Sequence, residues 1–183
     1  GTKNIAIGTE ALSVYGTVGL TRNVAIGYFA GRHIQADQNT VIGDQVAGGI
    51  LEGWGNVAIG TYTMGATNRY AARNTILGNN AGAYAGSENT AVGQKALKAN
   101  TTGVYNNAFG HESLDANTTG LENCAFGLVS LSSNTTGNYN TAYGSRSLNA
   151  NTTGDNNTAV GKDAGISVTT GDLNTLIGHD AGD

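Results

Sequence analysis

The chain has 183 residues, of which 39% are hydrophobic and 12% charged, and its net charge is −4. The nine Lys and Arg residues form no cluster, which argues against a nucleic-acid or anionic-membrane partner. No apolar run approaches the roughly 20 residues that a membrane-spanning helix needs, so membrane insertion is not expected. The 29 Gly occur without Pro and without a Gly-X-Y triplet, which excludes collagen and favours tightly turned β structure in a single domain.

One short pattern returns eleven times along the chain: Asn, any residue, a small residue, a large apolar residue and Gly. The repeats begin at Asn4, Asn23, Asn39, Asn56, Asn74, Asn89, Asn106, Asn123, Asn140, Asn157 and Asn174. A short fixed period is the signature of a solenoid. We therefore predict an all-β parallel β-solenoid of about eleven coils over 1–183, with irregular coils in 1–88 and regular 17-residue coils in 89–183. Both ends lie in mid-pattern, which predicts a segment of a longer protein.

Each repeat predicts a short strand, whose side chains alternate between two faces. The position two residues after Asn (Asn+2) is mostly Ala, and the position Asn+3 is always large. We expect the large column to fill the inside of the roll and the Ala column to lie at a subunit interface. Association of several rolls would compensate for the poor surface-to-volume ratio of one thin roll. The large column comprises Ile7, Ile26, Ile42, Ile59, Leu77, Val92, Phe109, Phe126, Tyr143, Val160 and Ile177.

Identical residues in stacked coils align into ladders, so the Asn and Gly of each repeat are expected to be structural. Position Asn+4 is Gly in every coil, which indicates a turn with positive φ or steric crowding. In the regular coils these ladders are Asn89, Asn106, Asn123, Asn140 and Asn157, and Gly93, Gly110, Gly127, Gly144 and Gly161. A second turn, written NTTG, matches a glycosylation sequon, but its recurrence at one coil position favours turn chemistry.

The irregular half carries most of the unusual side chains. Aromatic and planar polar groups on a rigid rod suit contact with a saccharide or a protein, although packing at loops or between subunits would also explain them. The possible ligand contacts are Trp54, Tyr62, Tyr28, His33, Tyr70 and Arg73.

The repeats NTAVGKDAG, NTAVGQKAL and NTAYGSRSL, with their ANTTG spacers, resemble those of phage tail-fibre proteins. NVAIG is also similar to the head repeats of YadA-like trimeric autotransporter adhesins. The resemblance covers essentially the whole chain and implies a left-handed β-roll assembled as a homotrimer. The 17-residue period and the NTTG spacer favour the fibre.

The resemblance implies a structural and receptor-binding segment of a trimeric tail fibre, located in the virion and active in host attachment. Its partners would be itself and a glycan or protein of the host cell surface. The alternative is the head of a trimeric adhesin on the bacterial outer surface. An ice-binding solenoid is a weaker alternative, because the Thr column at Asn+1 is interrupted by Val24, Val57, Asn107 and Cys124.

No catalytic constellation is recognisable, and neither a cofactor nor a metal is expected. His111 and His179 share one coil position with other polar residues, which favours a solvated surface. A Ca²⁺ site at the turns 154–157 or 179–183 is weaker than a plain polar turn, since neither matches a Ca²⁺-binding loop. Cys124 is the only cysteine and is interpreted as a structural thiol.

Overall fold

The computed structural model describes residues 1–13, 19–49, 52–65, 70–82 and 86–183. These residues contain eleven three-residue strands and no helix, which confirms the predicted all-β solenoid. The strands are β1 (Ile5–Ile7), β2 (Val24–Ile26), β3 (Thr40–Ile42), β4 (Val57–Ile59), β5 (Thr75–Leu77), β6 (Thr90–Val92), β7 (Asn107–Phe109), β8 (Cys124–Phe126), β9 (Thr141–Tyr143), β10 (Thr158–Val160) and β11 (Thr175–Ile177).

All eleven strands form one parallel sheet in chain order, so each coil adds one level to the stack. The register places identical repeat positions side by side: Ala108 pairs with Ala125, and Phe109 with Phe126. This register follows from the sequence, because each strand occupies the same three positions after its Asn. Neighbouring strands lie about 4.8 Å apart, so the stack is roughly 50 Å long.

The core lies inside the single chain and is narrow. The Asn+2 column is fully buried from Ala25 to Ala159, with Val41 and Ile76 at two of its levels. In the regular coils a Leu at Asn+8 is also fully buried. These leucines are Leu97, Leu114, Leu131 and Leu148. Both columns belong to one continuous hydrophobic cluster.

This arrangement corrects the predicted roles of the two strand faces. The Ala column does not lie at a subunit interface, because the chain's own coil covers it. The large column does not fill the roll: its side chains point outward, and Tyr143 is 60% exposed while Ile177 is 70% exposed. The physical reason is space, since a roll this thin accommodates Ala from the strand and Leu from the following arm.

The Asn ladder is confirmed. At every level the backbone N–H of one Asn donates to Oδ1 of the Asn one coil earlier, at 2.8–3.0 Å. The Nδ2 group donates to the carbonyl of the NTTG glycine, as from Asn106 to Gly120 at 2.8 Å. The ladder is buried through the regular coils. It satisfies backbone groups that a narrow interior hides from water.

The Gly column is required for two separate reasons. Gly127 has a φ of 143°, outside the region that L-residues normally adopt. A Cβ on Gly127 would also lie 2.3 Å from the carbonyl oxygen of Gly144 in the next coil. The glycine after each strand therefore permits both the turn and the close stacking of successive coils.

Several non-glycine columns also have positive φ, which the sequence did not indicate. In one coil these residues are Glu112, Leu114 and Glu122, with φ between 51° and 55°. Their side chains share no chemistry. The geometry of the coil, and not a local preference of these residues, therefore imposes the left-handed conformation. These left-handed residues make the sharp corners that let 17 residues close one coil.

Candidate binding surfaces

The six predicted contact residues fall at different places around the coil. Tyr28 and Tyr62 lie in the turn after a strand, whereas Trp54, Tyr70 and Arg73 lie in the arm that leads to the next strand. His33 is half-buried and occupies another position in its coil. The structure therefore does not assemble the six residues into a single site.

The turn group comprises Tyr28 and Tyr62, and each contacts a neighbouring side chain. The ring centroids of Tyr28 and Phe29 lie 4.0 Å apart, and the Arg32 guanidinium carbon lies 4.5 Å from the Phe29 centroid. Tyr62 accepts a 3.2 Å hydrogen bond from Nε2 of Gln45, one coil earlier. Tyr28 and Tyr62 are each nearly half exposed. This group offers a shallow aromatic surface with few convergent polar groups.

The arm group, which comprises Trp54, Tyr70 and Arg73, contains a cation–π contact and an ion pair. Trp54 is 47% exposed, and the guanidinium carbon of Arg73 lies 5.1 Å from the centroid of its ring. Arg73 also forms an ion pair with Glu88. Tyr70, at 69% exposed, belongs to the same coil as Arg73. Trp54 is thus a large apolar side chain held at the surface with a cation over its ring.

A groove of about 450 Å³ opens beside Trp54. The described residues that line it are Gly19, Leu20, Gln35, Ala36, Asp37, Gln38 and Trp54. Sequence reasoning identified Trp54 but missed Gln35, Asp37 and Gln38. A signal was present, since Asp37 and Trp54 both stand two residues before a repeat Asn, in consecutive coils.

The outward face of the sheet is a second candidate surface. It carries the Asn+1 and Asn+3 columns in register along all eleven strands. Within it, the rings of Phe109 and Phe126 stack with centroids 4.5 Å apart, and Phe126 and Tyr143 follow at 5.5 Å. The Cys124 thiol lies on this face, half-buried, and desolvation raises its pKa. The Asn+3 column is a continuous stripe of aliphatic and aromatic side chains, and the Asn+1 column beside it is mostly Thr.

The turn at 179–183 contributes to a charged cluster. Among the described residues, potential ligand atoms of Asp163, His179 and Asp180 lie within 4.8 Å of one another. Asp163 is nevertheless already engaged by two cations, Arg146 and Lys162, each at 2.6 Å. These cations make the cluster an ion-pair network between coils rather than a site suited to a metal cation.

This network predicts a pH dependence of stability. The hydrogen bonds from Arg146 and then Lys162 lower the pKa of Asp163 from 3.8 to about 2. Because the folded pKa is the lower one, the stabilisation is complete above about pH 4 and is lost as the pH falls towards 2. We expect Asp163→Asn to lower the melting temperature at pH 7, and this difference to shrink between pH 4 and 2. Thermal melts by circular dichroism across that range would test it, and a constant difference would contradict it.

The NTTG asparagines are fully buried, so they are not available as glycan acceptors. Their side chains form a second ladder: Nδ2 of Asn117 donates to Oδ1 of Asn100 at 2.9 Å, and Asn134 repeats this contact with Asn117. This geometry confirms that the motif serves turn chemistry. His111 and His179 are exposed, as predicted.

Within the described ranges, no helix is long and apolar enough to cross a membrane. No known protein family, curated protein or solved structure matches the chain. Its function is therefore inferred from its own residues and geometry.

Proposed function

We propose that this chain is a structural and receptor-binding segment of a trimeric phage tail fibre that contacts a glycan or protein on the bacterial surface. The observation that carries the proposal is the apolar stripe on the outward face of the sheet. A rod with such a stripe, and with exposed aromatic side chains elsewhere, combines a self-association surface with a contact surface.

The stripe is too continuous for an ordinary solvated face. The stripe is the Asn+3 column, which follows the sheet for roughly 50 Å and is roughly 7 Å wide, and this gives several hundred Å². Monomeric soluble proteins rarely expose contiguous apolar patches of this size without a binding role. Phe126 is only half-buried, and its neighbours in the stack, Phe109 and Tyr143, belong to the same face.

The occupant that fits this stripe is a second copy of the same chain. Copies aligned in parallel about a common axis would place identical levels side by side, so a large side chain would meet the same side chain of its neighbour. The threefold symmetry comes from the resemblance of the repeats to tail-fibre proteins. Charged side chains are absent from the described strands, which removes the electrostatic penalty of such an interface.

The coil itself suits a stiff spacer. Ladders of Asn, Gly and core Leu connect each coil to the next, and ion pairs such as Lys95–Glu112 at 2.6 Å link neighbouring turns. Three such rods would present every contact residue three times, and multivalency would supply avidity where each contact is weak.

The association is tested by measuring mass in solution. We expect light scattering across a dilution series to give about three times the 18.5 kDa of one chain. Phe126→Glu is expected to reduce this mass towards that of one chain, because the stripe would have to bury a carboxylate. Circular dichroism would establish that the coils remain folded.

The matched control is Leu128→Glu. Leu128 is 52% exposed and lies two residues beyond Phe126, in the turn rather than on the strand. This variant should keep the mass of the parent chain. A monomeric parent chain at every concentration, or equal losses of mass in the two variants, would contradict association through the stripe.

Receptor binding is tested separately, with the fluorescently labelled segment applied to a panel of bacteria. Saturable binding to particular strains supports the proposal, and an absence of binding to every strain would contradict the receptor-binding part. The NVAIG repeats, which contain β2 and β4, support the alternative function, the head of an adhesin. Flanking sequence separates the two: a self-cleaving chaperone module supports the fibre, and a membrane anchor supports the adhesin.

A further inference from the structure

We propose that the groove beside Trp54 binds a neutral hexopyranose residue of a surface glycan. This inference rests on the proposed function and specifies the ligand class and the site. The volume of about 450 Å³ falls within the range of pockets that hold small ligands.

The groove spans successive coils, which gives it a fixed shape. Leu20 comes from one coil, Gln35 to Gln38 from the next, and Trp54 from the coil after that. Thr21 donates its backbone N–H to Oδ1 of Asp37 at 2.8 Å, which ties the first two levels together. The lining therefore belongs to the stacked scaffold.

Trp54 supplies the apolar platform. Arg73 lies over the indole from the coil that follows Trp54, whereas the other lining residues come from the two coils that precede it. The Arg73 guanidinium and the groove thus lie on opposite sides of the indole along the stack. The C–H face of a pyranose ring is apolar and matches the exposed surface of an indole.

The polar groups of the lining suit hydroxyl groups. Gln35, Asp37 and Gln38 present amide and carboxylate groups, which donate and accept hydrogen bonds in fixed planar geometries. Asp37 is oriented by its bond from Thr21. Small-molecule sites combine apolar surface with polar groups that fix the orientation of the ligand, and Trp54 supplies apolar surface here.

The charge of the lining selects against acidic sugars. Among the residues that the structure describes, the lining includes one carboxylate, Asp37, and no Lys, Arg or His. Arg73, the cation over the Trp54 ring, is paired with Glu88. A carboxylated or phosphorylated sugar would meet Asp37 without a compensating cation from the lining, so a neutral hexose is the better fit.

The backbone around Trp54 is held in place, which preforms the groove. A Cβ on buried Gly53 would lie 1.7 Å from the carbonyl oxygen of Ala71, so only glycine permits this close stacking. The carbonyl of Trp54 accepts a 3.0 Å hydrogen bond from Arg73, and Gly55 donates to the carbonyl of Asp37 at 3.3 Å. The backbone that carries the indole is therefore ordered before a ligand binds, which lowers the entropic cost of binding.

Trp54 is the only tryptophan in the chain, so its fluorescence reports on the groove directly. The probes are methyl glycosides of glucose, galactose, mannose and N-acetylglucosamine, titrated into the whole chain, with N-acetylneuraminic acid as the acidic comparison. We expect a saturable change in fluorescence with at least one neutral glycoside and a weaker response to the acidic sugar. No saturable change with any neutral glycoside, or tighter binding of the acidic one, would overturn the proposal.

Variants are compared by calorimetry with the glycoside that binds. Trp54→Ala should weaken binding about tenfold or more, as expected for a central aromatic contact, and Trp54→Phe should restore part of the affinity. Tyr139→Ala is the matched control, because Tyr139 is similarly exposed, at 50%, but lies in the regular coils, and it should leave binding unchanged. Folding of each variant is checked by circular dichroism.

The failure of this site can be told apart from failure of the proposed function. If Trp54→Ala binds both glycosides and bacteria as the parent chain does, the groove assignment is wrong while the receptor-binding role stands. If Trp54→Ala loses binding to bacteria but no sugar binds the parent chain, the ligand class is wrong. A failure of the proposed function would instead appear as a monomeric mass and an absence of binding to every strain.

Discussion

Ala125→Glu is expected to prevent the central coils from folding. Ala125 is fully buried in β8 and belongs to the same core cluster as Leu114 and Leu131. A glutamate there would force a methylene and an unpaired carboxylate into a closed space away from water. Such a burial costs several kcal/mol, which is comparable to the roughly 5–15 kcal/mol that stabilises a typical domain.

The location of the defect matters as much as its size. In a solenoid each coil contacts only its neighbours, so a disrupted coil in the middle separates the stack on either side. We expect far-UV circular dichroism of Ala125→Glu to show a large loss of β signal, or thermal unfolding to begin far below that of the parent chain, at equal chain concentrations.

The control is Leu128→Glu, because Leu128 is 52% exposed in the turn after β8 and lies off the outward face of the sheet. It should melt close to the parent chain. If Ala125→Glu were folded and merely dissociated, the Ala column would after all face another subunit, and the assignment of the core would be wrong.

The sequence was sufficient to place the strands and their order. Eleven repeats of one motif fix where each strand lies, and a constant spacing forces parallel, in-register stacking, as seen for Ala108 beside Ala125. The repeated Asn required a partner at every level, which the ladder supplies.

Which of the two strand faces points into the core could not be predicted from the sequence in the same way. Alternation of Ala with Phe or Ile has the same period whichever face is inside. Large side chains usually fill cores, but here Leu114 and its equivalents from the opposite arm already occupy the interior. The left-handed residues were also hidden, since Glu112 and Val129 carry no local preference for positive φ.

The groove was only partly visible in the sequence. Trp54 stood out as the only tryptophan of the sequence, but its neighbours are defined by stacking rather than by proximity along the chain. Asp37 lies 17 residues before Trp54, at the same position of the preceding coil. Aligning the coils by their Asn would have brought the two together, whereas the volume of the groove needed coordinates.

Asn123→Ala is expected to destabilise the rod by roughly 3 kcal/mol. Oδ1 of Asn123 accepts the backbone N–H of Asn140 at 3.0 Å, and Nδ2 donates to the carbonyl of Gly137 at 2.8 Å. Gly137 keeps a second donor, Asn134, but the buried N–H of Asn140 loses its acceptor. An orphaned buried donor costs about 1–3 kcal/mol, and the cavity left by the amide adds to it.

Asn107→Ala is the matched control, since Asn107 has the same side chain but lies exposed one coil earlier. Its effect should stay within about 0.5 kcal/mol. Chemical denaturation at a fixed chain concentration measures both values, and equal values would contradict a structural role for the ladder. Because Asn140 in turn accepts from Asn157 at 2.9 Å, the weakened level also loosens its neighbours. Amide hydrogen exchange should therefore accelerate first in β8 and β9 and least at the distant coils, as expected where stability is passed from one coil to the next.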